Sequence, residues 1–227
     1  MESEGEGMQG EEMEIGGLQA IFCPAKSSRK GCVIMCHGLF GSMHSPKYVE
    51  LAEELQRRGL SSLRFNQRRG EGGKEATLTQ RMEDLRRVVD FAHSLGYKRI
   101  GLMGSSLGGY MVLLLSSLYR DFQALAAWAT PYNLEGLRGE GLEELIEDSR
   151  KYPLIEYIQG VKAPLLLLHG TEDELVPSHH SLVLFERAPP PKVLMWVEGA
   201  DHRFTQPERR RIAVEVTAEW LERRLSP

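Results

Sequence analysis

The sequence alternates short apolar runs with longer amphipathic segments along almost its whole length. Runs such as 31–38 (GCVIMCHG) and 163–170 (APLLLLHG) end at a glycine and suit strands that are buried on both faces of a parallel sheet. Segments such as 46–58 and 78–95 repeat apolar residues at helical spacing and stop before a glycine. The alternation predicts a doubly wound α/β fold with a mainly parallel sheet and helices on both faces.

The chain of 227 residues is expected to form one domain. Residues 1–13 are rich in Glu and Gly, so we expect a disordered acidic segment ahead of a domain at 14–227. The stretch 14–23 (EIGGLQAIFC) predicts two short strands joined at Gly16–Gly17. A charged, glycine-interrupted stretch at about 132–160 falls between two strands, and it is the predicted place for a small lid.

Charge and cysteine content favour small molecules as partners. The net charge is −4, and Lys and Arg are spread along the chain, so no surface for nucleic acid or anionic membrane is predicted. Three cysteines without a CxxC pair indicate a reducing compartment, and Cys32, Ile34 and Cys36 share one strand face that is expected to be core. The acidic N-terminus and the shortness of the apolar runs predict a cytoplasmic protein without a membrane span. No spacing resembles a metal site.

The strongest chemical motif is Gly104-Ser105-Ser106-Leu107-Gly108, which matches G-x-S-x-G between a predicted strand and an apolar helix. A strand that turns directly into a helix strains the backbone of the central residue. Small residues two before and two after it let the flanking segments approach. The Oγ of Ser106 then projects freely, and the N–H of Leu107 points to where an oxyanion would form. Ser105 lacks glycine at both offsets and is assigned to the structure of the turn.

This motif resembles the nucleophile elbow of the α/β-hydrolase superfamily. In that superfamily a catalytic acid follows a late strand and a histidine follows the last one. Here LLLLHGTEDELVP puts Asp173 after a late strand, and VEGADHRF puts His202 after the final strand. The loop HGLFGS after Cys36 is similar to the oxyanion loop of the family, with the N–H of Leu39 as the expected second donor and Phe40 as the next choice. The resemblance covers roughly residues 14–225.

Some neighbouring residues compete with these assignments. Glu172 and Glu174 flank Asp173, and all three could instead form a solvated acidic turn. Among the other histidines, His179 and His180 are expected to face solvent, His37 to shape its own loop, and His44 to be either a surface residue or part of the site entrance. Arg68 or Arg69, on the loop 64–73, could attract an acidic substrate group or belong to a solvated loop.

The resemblance implies acyl transfer to water without a cofactor, with Ser106 as nucleophile, His202 as general base and Asp173 orienting the histidine. A serine at the elbow argues against relatives that place aspartate or cysteine there. The chain is similar to small single-domain esterases and serine-aminopeptidase-like hydrolases. We therefore expect a carboxylesterase for small-molecule esters of short acyl or aryl acids. A thioesterase, a peptidase or amidase, and a non-catalytic binding protein are the alternatives.

Overall fold

The computed structural model describes residues 10–26 and 31–226. Within them lie eight strands and seven α-helices; after the first three strands, strands and helices alternate except where two short helices follow one another. The strands are β1 (Glu11–Ile15), β2 (Leu18–Cys23), β3 (Cys32–Cys36), β4 (Ser61–Phe65), β5 (Ile100–Ser105), β6 (Phe122–Trp128), β7 (Leu165–Gly170) and β8 (Lys192–Val197). The helices are α1 (Pro46–Arg57), α2 (Leu78–Ser94), α3 (Leu107–Leu118), α4 (Glu143–Ser149), α5 (Leu154–Tyr157), α6 (His179–Arg187) and α7 (Pro207–Leu225).

All eight strands form one sheet in the order β1-β2-β4-β3-β5-β6-β7-β8. The six strands from β4 to β8 in this order are parallel, whereas β1 and β2 add an antiparallel hairpin at one edge. The fold class predicted from the alternation is therefore confirmed. Because the parallel strands run the same way, the segments after β3, β5, β7 and β8 all leave from one edge of the sheet.

Two apolar layers cover the two faces of the sheet. Along β3 successive side chains alternate between them: Ile34 and Cys36 join the layer that includes apolar residues of α2 and α3, while Val33 and Met35 join the layer that includes those of α1 and α7. All five side chains of β3 are buried. The prediction that Cys32, Ile34 and Cys36 belong to the core is confirmed.

The prediction of a disordered segment through residue 13 is wrong for residues 11–13, which belong to β1. Glu11 pairs with Phe22 and Met13 with Ala20, so the hairpin begins earlier than the composition indicates. The reason is that Ile15 is buried and Met13 packs against the core, while the glutamates of β1 remain exposed. Residues 1–9, the rest of the predicted segment, lie outside the described residues.

The stretch 132–160 contains α4, α5 and a 3-10 helix at Ile158–Gly160. Leu145, Leu154 and Ile158 are buried in the layer that also contains residues of α2 and α3. The Tyr110 hydroxyl, in the first turn of α3, accepts from the N–H of Leu154 at 3.0 Å. These contacts attach the stretch to the first turn of α3. That it works as a lid stays a prediction.

Candidate active site

Ser106 occupies the abrupt turn between β5 and α3. Its backbone has φ 56° and ψ −123°, a region that a residue with a Cβ rarely adopts. The N–H of Ser106 donates to the carbonyl of Trp128 at 2.8 Å, and its own carbonyl accepts from the N–H of Tyr110 at 3.0 Å. The strained conformation is therefore fixed by hydrogen bonds on both sides of the residue.

The two glycines of the motif are required by close packing. A Cβ on Gly104 would overlap the carbonyl of Gly108, and a Cβ on Gly108 would overlap the carbonyl of Cys36 at the end of β3. No flexible side chain is involved in either contact, so the overlap could be relieved only by moving backbone. The spacing of G-x-S-x-G thus has the steric cause that the sequence indicated.

Backbone strain is concentrated at one edge of the sheet. In the described part of the chain, four residues other than glycine have positive φ: Phe40, Ser106, Ala129 and Phe204. They follow β3, β5, β6 and β8 respectively, where these parallel strands end. Strain of this kind persists only where surrounding contacts enforce it, and it clusters at functional sites. The strained edge is the one that carries every residue of the predicted site.

Asp173 and His202 meet across the loops after β7 and β8. His202 Nδ1 lies 2.8 Å from one carboxylate oxygen of Asp173 and 3.0 Å from the other. The N–H groups of Leu175 and Val176 donate to Asp173 Oδ1 at 3.0 and 2.8 Å. Burial works to raise the pKa of Asp173, but hydrogen bonds from His169 and His202 outweigh it and hold the pKa well below its usual range.

A second histidine, His169, touches the same carboxylate and was not identified from the sequence. It is the fifth residue of β7 and is fully buried. Its Nε2 lies 2.8 Å from the carbonyl of Val176 and 3.1 Å from Asp173 Oδ2, while its Nδ1 lies 2.7 Å from Ser181 Oγ. A proton on Nε2 would be donated to the Val176 carbonyl and the Asp173 carboxylate, and the Ser181 hydroxyl is the partner of Nδ1. His169 and His202 therefore both contact Oδ2 of the Asp173 carboxylate.

The loop after β8 that carries His202, called the base loop, lies close to the serine elbow. Among the described residues, no hydrogen bond links Ser106 Oγ to His202. Their loops share Trp128 as a neighbour, because its carbonyl accepts from the Ser106 N–H and its ring lies 4.9 Å from that of Phe204. Contacts between a nucleophile and its base are often long before substrate binds. The direct pairing of Ser106 with His202 stays a prediction.

The loop after β3 packs on the elbow. A Cβ on Gly38 would lie 3.0 Å from both the carbonyl oxygen of Ser105 and the Cβ of Ser106. His37 supports this loop with Nδ1 at 2.7 Å from the Gly38 carbonyl and Nε2 accepting from the N–H of Gln67 at 3.0 Å. His37 thus shapes its own loop, as predicted. Leu107 is the first residue of α3, so its N–H lacks an intrahelical acceptor.

The arginines on the loop after β4 behave differently from one another. Arg68 Nε donates to Asp84 Oδ2 at 2.6 Å, and a second guanidinium nitrogen contacts the other oxygen of that carboxylate. Arg69 is exposed. Both line a pocket of about 340 Å³ together with Phe40 of the predicted oxyanion loop. Attraction of an acidic substrate group therefore stays a prediction that suits Arg69 better than Arg68. His44 is also exposed.

The prediction that His179 and His180 both face solvent is wrong for His180. His179 is exposed, but the ring of His180 lies 4.4 Å from that of Tyr132, and its Nδ1 accepts from the Tyr132 N–H at 3.2 Å. Burial and the nearby His179 lower the pKa of His180 to about 4. Tyr132 follows β6, so this contact joins distant parts of the chain. It places an aromatic pair beside the acid loop, the segment between β7 and α6 that carries Asp173.

Comparison with known proteins agrees with this architecture. The sequence matches the prolyl oligopeptidase family over residues 67–227. It is 32% identical to alpha/beta hydrolase domain-containing protein 17C of Xenopus tropicalis over 132 residues, which cover 56% of this chain and 37% of that protein. Over 89 residues it is 36% identical to the human protein 17B, covering 37% of this chain and 28% of the relative. The matched stretches therefore cover only 37% and 28% of the length of these two curated relatives.

Solved structures show the same fold at low sequence identity. Est1E from Butyrivibrio proteoclasticus with ferulic acid bound superposes with a TM-score of 0.79 at 21% identity, covering 95% of this chain and 99% of that one. The esterase domain of a Rhodothermus marinus protein superposes with a TM-score of 0.77 at 21% identity, covering 95% and 98%. Of the helices within residues 10–26 and 31–226, none is long and apolar enough to cross a bilayer.

The parallel sheet, the strained turn after β5 and these similarities define an α/β-hydrolase. Within that superfamily, the chain belongs to the prolyl oligopeptidase family, whose match covers more than half of its length. This membership supports hydrolase activity.

Proposed function

We propose that the protein hydrolyses carboxylic esters of small molecules through an acyl-enzyme on Ser106, with His202 as general base and Asp173 orienting it. The observation that carries this proposal is the pairing of His202 Nδ1 with the buried Asp173 carboxylate at 2.8 Å, at the sheet edge where the strained Ser106 stands. A histidine whose Nδ1–H donates a hydrogen bond to a carboxylate leaves Nε2 free to act as a base. The N–H groups of Leu39 and Leu107 are the proposed oxyanion donors.

The chemistry proceeds in two acyl transfers. In the first, Ser106 Oγ attacks the ester carbonyl carbon while His202 Nε2 takes the serine proton, and the carbonyl oxygen becomes an oxyanion. The intermediate collapses, the bond from carbon to the alkoxy oxygen breaks, and the imidazolium protonates the leaving alcohol. In the second transfer, His202 takes a proton from water as it attacks the acyl-enzyme, and the proton returns to Ser106 Oγ as the acid leaves.

Short acyl or aryl acids are the proposed substrates. The helices of the stretch 132–160 are no longer than seven residues, and that stretch is attached beside α3, which is consistent with an open site. The structure of Est1E with ferulic acid bound covers 95% of this chain and 99% of its own length when the two are superposed. An aryl acid is therefore one option for the substrate of this protein.

A direct test combines active-site labelling with turnover. Wild type should react with a fluorophosphonate probe and hydrolyse p-nitrophenyl esters with short acyl chains. Ser106→Ala should lose both. Ser117→Ala is the matched control, because its hydroxyl lies in α3, the helix that follows Ser106, and donates to the Leu114 carbonyl at 2.6 Å. Turnover retained by Ser106→Ala would show that the nucleophile is misassigned. An unlabelled, inactive wild type would favour a non-catalytic binding protein.

A peptidase or amidase is the second candidate, because the matched family is named for an oligopeptidase. Peptidyl p-nitroanilides and thioesters tested beside the esters would separate the three acyl-transfer activities. A kcat/KM for an anilide above that for every ester would assign the chain to the second candidate.

A further inference from the structure

Lys47 places an ammonium group on the serine that directly precedes the candidate nucleophile. It is the second residue of α1, and its Nζ donates to Ser105 Oγ at 2.8 Å. Ser105 is buried and precedes Ser106. Within the described part of the chain, no carboxylate lies within ion-pairing distance of Lys47 Nζ, although lysine ammonium groups that leave water are normally paired. A hydroxyl is therefore the direct hydrogen-bond acceptor of this amine.

Besides Ser105 of the elbow, the groups around Lys47 come from four parts of the structure: α1, the base loop, the acid loop and the oxyanion loop. Its Nζ lies 5.7 Å from the ring centre of Tyr48 on α1 and 5.8 Å from that of Phe204 in the base loop. At longer range, Asp201 of the base loop and Asp173 of the acid loop favour the charged form of Lys47, whereas Arg203 of the base loop disfavours it. The charge of Lys47 in turn helps to lower the pKa of His37 in the oxyanion loop. Burial lowers the pKa of Lys47 to about 8 despite the two aspartates.

The position of Lys47 links the two segments that carry the proposed oxyanion donors. Leu39 lies in the loop that leads into α1, whereas Leu107 lies two residues after Ser105. Since backbone donors stabilise an oxyanion only when their spacing is correct, a link between these segments bears on catalysis. A charged donor forms a stronger hydrogen bond than a neutral one, and the charge also attracts the base loop through Asp201.

We infer that Lys47 is a positioning residue of the hydrolase site, linking the oxyanion loop, the serine elbow and the base loop through its ammonium charge. This inference rests on the proposed function. Its consequence is that the contribution of Lys47 to turnover disappears when the amine loses its proton. A role in packing alone would not depend on pH in this way.

The test is the pH dependence of the ratio of wild-type to Lys47→Met activity. Between pH 6.5 and 9.5, kcat and KM are measured with a neutral short-chain p-nitrophenyl ester, and spontaneous hydrolysis is subtracted. At pH 7 we expect kcat of Lys47→Met to be about tenfold below wild type, with KM little changed. The ratio of wild-type to Lys47→Met kcat should fall towards one with a midpoint near pH 8, where Lys47 loses its proton. All other titrating groups are present in both proteins, so their effects on activity cancel in the ratio. Lys162→Met, at an exposed lysine, should give a flat ratio near one.

Lys47→Arg gives an independent reading if Lys47→Met fails to fold, which urea unfolding would reveal. Arginine stays charged over this range, so the activity of Lys47→Arg relative to wild type should rise as the pH passes 8. A ratio that is constant with pH for the variants that fold would overturn the inference and leave Lys47 with a packing role. A wild type that neither turns over nor reacts with fluorophosphonate would overturn the proposed function, and the inference with it.

Discussion

The two halves of the candidate site are built in different ways. In the acid half, after β7 and β8, side chains make the decisive contacts: two histidines and two backbone N–H groups surround the Asp173 carboxylate. In the nucleophile half, after β3 and β5, backbone lies directly on backbone, and glycines at 104 and 108 leave no room for a Cβ. The acid half is therefore expected to be most sensitive to the loss of a charged or hydrogen-bonding group, and the backbone packing of the nucleophile half to the addition of a methyl group.

Asp173→Asn should have the largest effect on turnover. Asparagine has nearly the same shape, so the fold should persist, but its amide can donate to His202 Nδ1 and favour the wrong tautomer. We expect kcat to fall by about 10⁴-fold. The measurement is ester turnover, with circular dichroism to follow the fold. Glu172→Gln is the matched control, because Glu172 is an exposed carboxylate in the same loop, and its activity should stay near that of wild type. Comparable losses in both variants would contradict the assignment of the acid.

Gly108→Ala should have the next largest effect and should act on shape alone. The new methyl group would overlap the Cys36 carbonyl, so the elbow must shift, and we expect kcat/KM to fall about 100-fold together with a lower midpoint of urea unfolding. Gly136→Ala is the control, because a Cβ there meets nothing within 4 Å. If Gly108→Ala and Gly136→Ala kept equal activity and stability, the close packing of the nucleophile half would be disproved.

His169→Gln should have a moderate effect on kcat, and it tests how much His169 contributes to holding Asp173 apart from the contribution of His202. The glutamine loses the ring that reaches Asp173 and the Val176 carbonyl, while His202 remains. The lost contact to a charged group is worth about 1.4 kcal/mol or more, which corresponds to at least a tenfold loss of kcat. His93→Gln, at a histidine on α2, gives the comparison for a general effect of losing an imidazole. Unchanged kcat in His169→Gln would show that His202 and the backbone suffice to hold the acid.

The sequence alone predicted those features of the fold and of the two halves of the site that depend on local residue patterns. Strand and helix periodicity predicted the sheet, and the glycines of the motif predicted the elbow because their steric cause lies within a few residues. Lys47 was missed because its hydrogen bond joins residues 58 positions apart. The start of β1 at Glu11 was missed for a related reason. This strand is held by backbone pairing with β2, and amino-acid composition gives no information on such pairing. The contact of His180 with Tyr132 depends likewise on how two distant loops meet.

The smallest expected effect is on stability at acid pH, and it also distinguishes the two halves. The pKa of Asp173 is lowered in the folded protein, whereas the unfolded carboxyl titrates near 3.8, so the unfolded state binds the proton more readily. The stabilisation by the charged carboxylate is therefore fully present above about pH 4 to 5 and is lost as the pH falls below that range.

The urea midpoint of Asp173→Asn should accordingly lie below that of wild type at pH 6, and the gap should narrow as the pH is lowered from 5 to 3. Gly108→Ala, whose defect is steric, should show a gap that does not depend on pH. Parallel curves for Asp173→Asn and wild type throughout this range would mean that the carboxylate charge contributes nothing to folding. The acid half would then be held, like the nucleophile half, by shape.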